Sequence, residues 1–524
     1  MQKLYYHGPI LTMTGAPASA LLTQDGVIRA VGAPDEVRAQ ADRPEEIDLD
    51  GRALLPAFLD PHSHFSAYAS SFLQVALEDS ADFDEIAARI KKFIADNRIP
   101  AGQWVTAKGY DHNALAEHAH PTRALLDAAA PQNPLIMQHA SGHVGVLNSR
   151  ALAALGLGDD TPDPDGGRYG REGGRLTGYL EESAYFTAVR SAPMPDPAAL
   201  MGAYAKAQQG YAAHGITTVQ EGMAVAQMTD LYRALLAQGL LRLDLVAYAA
   251  LDSADALREA FPAAVRRYDG HFKLGGYKIF LDGSPQGRTA WMRTPYAGER
   301  DYRGYGTMKD GEVAAAVRRA AADNMQLLAH CNGDAAAQQY LDALRLAAAQ
   351  TDVARLRPVM IHAQLLGRDQ LAAVRELGVI PSFFVAHVYH WGDVHRKNFG
   401  EARAAAISPA ASALRAGIRF TFHQDTPVIE PDMLETIWCA ANRLTRSGFL
   451  LGADERISVY EALRAVTANA AYQYFEEDSK GVLAPGCRAD LVLLDRDPLA
   501  VDPAQLRGVR VLETIKDGQT IWRA

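Results

Sequence analysis

Residues 54–64 read Leu-Leu-Pro-Ala-Phe-Leu-Asp-Pro-His-Ser-His, an apolar run that stops at His62 and His64. On a β-strand, residues two apart point to the same face, so both imidazoles converge on one point where a buried strand emerges into a loop. Neutral imidazole is a common metal ligand. The competing reading is a pair of loop histidines beside a turn set by Pro61, and the remainder of the chain decides between the two.

From residue 54 to residue 426, short β-rich runs alternate with alanine-rich stretches of helical periodicity, the pattern of βα units around a parallel sheet. Eight such runs occur, at 54–59, 216–220, 243–249, 273–280, 326–330, 358–362, 379–384 and 419–423, and they predict an α/β fold, a (β/α)8 barrel of the TIM type within 54–480. Helical stretches such as 310–323 and 368–377 lie between them, with charged faces opposite apolar ones.

About 150 residues separate the first run from the second, far more than one crossover needs, so a subdomain inserted over about 70–205 is expected above the barrel mouth. It holds its own apolar run at 134–140 (PLIMQHA) and a turn-rich stretch at 159–178, read as irregular connecting structure. The chain ends, 1–53 and 481–524, both give short alternating runs punctuated by Gly, Asp and Pro. Neither end has strands enough for a stable layered structure alone, which predicts one composite β-sandwich built from both.

Composition narrows the function classes. A net charge of −10, with no basic stripe to track phosphates, argues against a nucleic-acid partner. No apolar run approaches the ~18 residues of a membrane span, and the first residues lack the basic-then-apolar pattern of an export signal. Cys331, Cys439 and Cys487 are odd in number and lack Cys-x-x-Cys spacing, so neither a disulfide framework nor a thiolate zinc site is indicated and a cytoplasmic protein is expected.

Barrels of this kind carry their chemistry at the carboxyl ends of the strands, so the residues ending the eight runs are informative. His62 and His64 follow the first, Lys278 lies in the fourth, His330 ends the fifth, His362 ends the sixth and Asp425 follows the eighth. Metal-ligand residue types at so many strand ends point to a metal site. Lys278, in the run Tyr-Lys-Ile-Phe, is costly to bury as an ammonium unless paired; with a depressed pKa its amine could capture carbon dioxide as an anionic carbamate able to bridge two metals.

With LLPAFLDPHSH at 54–64, SGHVGVLNSRAL at 141–152, HGITTVQEG at 214–222, YKIFLDGSPQGRTA at 277–290, HCNGDAA at 330–336, FHQDTPV at 422–428 and KGVLAPGCRADLVLLDRDP at 480–498, the chain resembles the amidohydrolase superfamily, in its amidohydrolase 3 branch. The resemblance implies a zinc-dependent hydrolase of carbon–nitrogen bonds other than peptide bonds. His62, His64 and Asp425 would hold one metal, His330 and His362 the other, and carboxylated Lys278 would bridge them; without carboxylation one zinc suffices. Attack by metal-held hydroxide is implied, with Asp425 as general base and then general acid. Gln424 stands where relatives usually carry a small residue, and Cys331 is read as a packed side chain.

A small linear amide, such as an N-substituted formamide or N-acyl amine, is the substrate class expected; the alternatives are cyclic amides, lactones or carbamates, and, more remotely, a non-catalytic barrel with a regulatory role. Aromatic residues near the strand ends, Phe65, Tyr68, Trp291, Tyr296, Phe383, Phe384, Tyr389 and Trp391, suit an apolar or aromatic substrate group. His143, Glu221, Arg288, Trp291, His387 and Trp391 are the candidates for binding it. A homodimer is expected only as the commonest oligomer.

Overall fold

All eight apolar runs enter one parallel sheet. We label its strands β1 (Phe58–Leu59), β2 (Ile216–Ala224), β3 (Asp244–Ala250), β4 (Phe272–Phe280), β5 (Gln326–Cys331), β6 (Val359–His362), β7 (Ile380–Phe383) and β8 (Thr421–Phe422). Each strand pairs in parallel with its neighbours in chain order. The computed structural model describes residues 1–15, 17–140, 144–193 and 196–524. They form two compact units, Met1–Phe65 with Gln208–Ala524, and Ser66–Ala207.

Near-continuous burial of β3, β5 and β6 follows from their Val/Ile/Leu/Ala composition, as expected of a parallel sheet covered on both faces. The sheet curls far enough for the segments following its two edge strands to bond to each other, His64 N–H to the Thr426 carbonyl at 2.8 Å and Asp425 N–H to the His62 carbonyl at 3.3 Å. Both histidines of the His-x-His pair and the later aspartate are thereby brought to one end of the sheet.

The run at 54–59 divides, a correction to the single strand expected there. Ala53–Pro56 pairs with Leu491–Leu494 and, through Leu54, with Ile10, while only Phe58–Leu59 joins the parallel sheet. Two ladders claim one apolar stretch, and Pro56, which has no N–H to donate, sits at the changeover.

The chain ends form one continuous mixed sheet rather than two separately bonded layers. Its order is Gln519–Arg523, Val511–Lys516, Leu491–Leu494, Ala53–Pro56, Gln2–Leu11, Pro17–Gln24, Val27–Gly32, with Glu45–Asp48 also beside Gln2–Leu11. Gln2–Leu11 makes this possible. It breaks register between Tyr6 and Ile10, pairing its first half with Glu45–Asp48 and its second half with Leu54. Tyr5, Ile10, Leu21, Leu54, Leu491 and Ile515 share one buried core, so neither terminus buries its apolar face alone.

At the amino end of β3, Asp244 is fully buried and accepts from Lys480 Nζ at 2.6 Å, Lys516 Nζ at 2.8 Å and His271 Nδ1 at 2.7 Å. Burial alone would raise its carboxyl, but Lys480 and the other cations hold it well below the usual carboxylate range. This ionic cluster fastens the parallel sheet to the C-terminal strands, at the end of the sheet remote from the strand carboxyl ends.

The Ser66–Ala207 unit has its own six-stranded sheet, ordered Gly167–Glu172, Arg175–Glu182, Val144–Leu147, Leu135–His139, Val105–Tyr110, Gln74–Ala76. Helix Phe83–Asp96 buries Ile86 and Ile90, one turn apart, and is capped by Asp82 accepting from Glu85 N–H. The stretch 159–178 is not irregular throughout. It contains Gly167–Glu172 and the start of Arg175–Glu182, an antiparallel pair joined by Gly173 and Gly174, whose φ of +57° and +80° make the turn that only such residues adopt freely.

Candidate metal centre

Leu59 ends β1, and the next five residues are pinned before they can wander. The Pro61 carbonyl accepts from Gln220 Nε2 at 2.6 Å and Gln473 Nε2 at 2.8 Å, and the Tyr474 hydroxyl donates to the Asp60 carbonyl. Gly222 at the end of β2 packs so closely that a Cβ there would lie 2.5 Å from His62 Cε1. A larger residue at 222 would push the imidazole out of place.

His62 Nε2 and His64 Nε2 lie 3.4 and 3.3 Å from Asp425 Oδ1, and the ligand atoms of the three fall within 4.8 Å of one another. His362 Nε2 is 3.9 Å from Asp425 Oδ2, and the His330 ring meets the His362 ring edge-on at 4.6 Å. Lys278 Nζ is 3.2 Å from His62 Nε2. The structure therefore brings His62, His64, Lys278, His330, His362 and Asp425 together. His64 and Asp425 are 27% and 14% exposed against 1% for His62, so the cluster opens on their side.

Protonation states suit a cation. Burial holds the His62 and His362 imidazoles far below their usual range, with the Lys278 charge and neighbouring imidazoles adding to the effect. Burial pushes the Asp425 carboxyl up, but His64, His423 and Lys278 outweigh it and keep the group anionic. Lys278 neither reaches solvent nor makes an ion pair among the described residues, and burial brings its amine down to about 7. Asp425 Oδ1 is buried and, beyond the His62 and His64 ring nitrogens at 3.4 and 3.3 Å, has no hydrogen-bond partner among the described residues. Such orphaned atoms cost free energy unless a ligand satisfies them, and a carboxylate with neutral imidazoles is the donor set of zinc and similar divalent ions. His362 and Asp425 also adopt φ of +70° and +57°, a left-handed strain of order 1–2 kcal/mol each, of the kind that concentrates at functional sites.

Behind these residues stands a layer of partners. Gln220 Oε1 meets His62 Nδ1 at 2.6 Å, which puts the proton on Nδ1 and leaves the Nε2 lone pair facing the cluster. Asp282 Oδ1 lies 3.2 Å from His330 Nδ1 and accepts from Asn332 N–H, while its Oδ2 accepts from Gly333 N–H and Trp291 N–H. His423 bridges His362 Nδ1, at 3.1 Å from its Nε2, and the Ser382 hydroxyl, at 2.9 Å from its Nδ1. Sequence reasoning passed over these residues. His423 carried a legible signal, since it closes the eighth run as His330 closes the fifth; Gln220 carried none, lying 158 positions from its partner.

The proposed substrate contacts fare unevenly. His143 lies outside the described residues. Glu221 is buried and bridges His64 through the backbone. Arg288 is turned to Glu299, at 2.7 Å, and Trp291 contributes its backbone N–H to Asp282. His387 and Trp391 pack on Phe384, which in turn packs against His423, so they reach the cluster through one intervening ring. Phe65, Tyr296 and Phe383 are core residues, at most 1% exposed, because the chain turns them inward at the strand ends; they form no substrate wall. Cys331 is fully buried, and burial pushes its thiol far up, the state of a packed and unreactive side chain.

The model of the amidohydrolase family matches residues 45–522. N-substituted formamide deformylase of Arthrobacter pascens is 31% identical, over 96% of this chain and 94% of its own. An uncharacterized metal-dependent hydrolase of Pyrococcus horikoshii superposes with a TM-score of 0.80 at 24% identity, covering 96% of this chain and 99% of that one. A second, from Pyrococcus furiosus, gives 0.79 at 26% identity over 95% and 100%. The chain belongs to the amidohydrolase family, in its amidohydrolase 3 branch.

Proposed function

We propose that the chain hydrolyses the carbon–nitrogen bond of a small linear amide outside any peptide, an N-substituted formamide or an N-acyl amine, at a two-zinc centre in a TIM-type barrel. The observation that carries this is the convergence of His62, His64 and Asp425 Oδ1 on one point beside a buried lysine whose amine can be neutral. The relation to a formamide deformylase supports the choice of bond.

His62, His64 and Asp425 would hold one ion, His330 and His362 the other. Lys278 would join them after its neutral amine adds to carbon dioxide, forming an N–C bond and releasing one proton, so that a neutral amine becomes an anionic carbamate. Bound zinc supplies Lewis acidity, polarising the amide carbonyl and lowering the pKa of water toward ~7. Gln220 fixes the tautomer of His62, so its Nε2 lone pair faces the centre, and Asp282 Oδ1 stands 3.2 Å behind His330 Nδ1. Asp425 takes the proton of the attacking water and returns it to the nitrogen as the carbon–nitrogen bond breaks, giving free amine and carboxylate. Trp391, half-buried and packed on Phe384, offers the apolar surface for the N-substituent. Three free, buried cysteines accord with a reducing cytoplasm.

The test offers zinc-loaded protein a panel of N-substituted formamides, N-acyl amines, lactams, lactones and cyclic carbamates. Equal yields of amine and formate or carboxylate from the linear amides support the reading. Turnover confined to ring substrates overturns the linear-amide assignment, and no turnover of any member by fully loaded protein overturns the enzyme.

A further inference from the structure

A second group of metal-ligating side chains lies wholly inside the Ser66–Ala207 unit. Strand Val105–Tyr110 runs parallel to Leu135–His139, with Tyr110 in register with His139. Asp111 and His112 immediately follow the first strand, and His139 ends the second. Three ligand-type side chains therefore leave the carboxyl ends of two adjacent parallel strands, where open α/β sheets bind their ligands.

The separations fit one ion. His112 Nδ1 is 3.0 Å from His139 Nε2, and Asp111 Oδ1 is 3.9 Å from the first and 3.7 Å from the second. Three atoms so spaced lie on a circle of radius about 2.1 Å, so one point stands at zinc–imidazole and zinc–carboxylate bond length from all of them. All three atoms fall within 4.8 Å of one another.

The surroundings hold these groups in place. His120 stacks on His112 with ring centroids 4.1 Å apart, and its Nδ1 is 2.9 Å from the hydroxyl of buried Tyr110. That contact fixes the rotation of the His112 ring. Asp111 Oδ1 accepts from Asn113 N–H and its side-chain amide, and the Asn113 backbone N–H leads the contacts keeping its carboxyl ionised.

We propose that Asp111, His112 and His139 bind a divalent transition ion of the zinc class, separate from the centre described above. Three protein ligands leave one position open for water, and Asp111 and His112 are 42% and 31% exposed, so the ion exchanges with solvent. Its effect is to tie the segment after Tyr110 to the neighbouring strand.

The experiment strips the full-length protein of metal, reloads it with excess Zn2+, removes the unbound ion and counts zinc per chain. Wild type is compared with H112A/H139A, with H62A/H64A and with all four changes combined. The proposal expects H112A/H139A to hold one zinc fewer than wild type, and H62A/H64A to keep an ion that the quadruple variant lacks. D111N, a change of charge with little change of shape on an exposed side chain, guards against loss of folding. In the H62A/H64A background it should weaken zinc about tenfold or more, read by competition with a chromophoric chelator. Equal zinc in wild type and folded H112A/H139A, or unchanged affinity in D111N, overturns the site. Either result is independent of whether any amide is cleaved.

Discussion

The two histidine clusters share a position, the carboxyl ends of adjacent parallel strands, and differ in everything around it. In the parallel eight-stranded sheet, His62 is 1% exposed and His362 and Lys278 are buried, and three of the ligand-type histidines rest on a second polar group: Gln220 behind His62, Asp282 behind His330, His423 and Ser382 behind His362. In the inserted unit, Asp111 and His112 are substantially exposed, with His120 and Tyr110 the main support. A low-dielectric, pre-aligned site can shift pKa values and stabilise developing charge; an exposed one mainly cross-links. On the readings proposed above, this difference matches hydrolysis at the first cluster and local stabilisation at the second.

The sharpest way to break that comparison is Asp425→Asn. The amide keeps the shape but cannot take a proton, so kcat/KM on a responsive linear amide should fall by roughly 10³-fold or more, while the circular-dichroism spectrum is unchanged. Residual activity within tenfold of wild type would remove Asp425 from the proton path. Next comes the opposite end of the same sheet, where the comparison assigns no chemistry. Asp244→Ala leaves Lys480 and Lys516 buried without their central anion and should cost about 3–5 kcal/mol in urea unfolding, with kcat of the folded fraction preserved. A loss of kcat without loss of stability would mean that both ends of the sheet serve the reaction.

How much of this could be read beforehand follows from the same physics. Strands buried on both faces are nearly unbroken apolar runs, so all eight stood out, and polar residues that end such runs are conspicuous: hence His62, His64, Lys278, His330, His362 and Asp425. The switch of ladders at 56–58 was hidden because both halves are equally apolar, and the hairpin around Gly173 and Gly174 because glycine-rich sequence reads as loop until a ladder flanks it. Gln220 and Asp282 support imidazoles far along the chain, and no local spacing marks them. The second cluster was the nearest miss. His139 stands next to last in the apolar run at 134–140 just as His330 stands next to last in β5, but its partners come from a different strand whose end, Tyr110-Asp111-His112, carries no apolar run to mark it.

Two smaller perturbations sharpen the comparison by attacking the supports rather than the ligands. Gln220→Ala frees His62 to choose the wrong tautomer and should weaken zinc at the buried centre by about 10–100-fold, read by chelator competition at fixed pH. Tyr110→Phe removes only the hydroxyl that meets His120, one step further from its ligand His112. Losing one such hydrogen bond costs about 1 kcal/mol, so zinc at the exposed cluster should weaken only about fivefold, measured in the H62A/H64A background. If Tyr110→Phe proved as damaging as Gln220→Ala, the exposed cluster would be as closely aligned as the buried one. Its ion would then need a role beyond tying two strand ends together, because precise alignment of a ligand is not required for a cross-link that water can already enter.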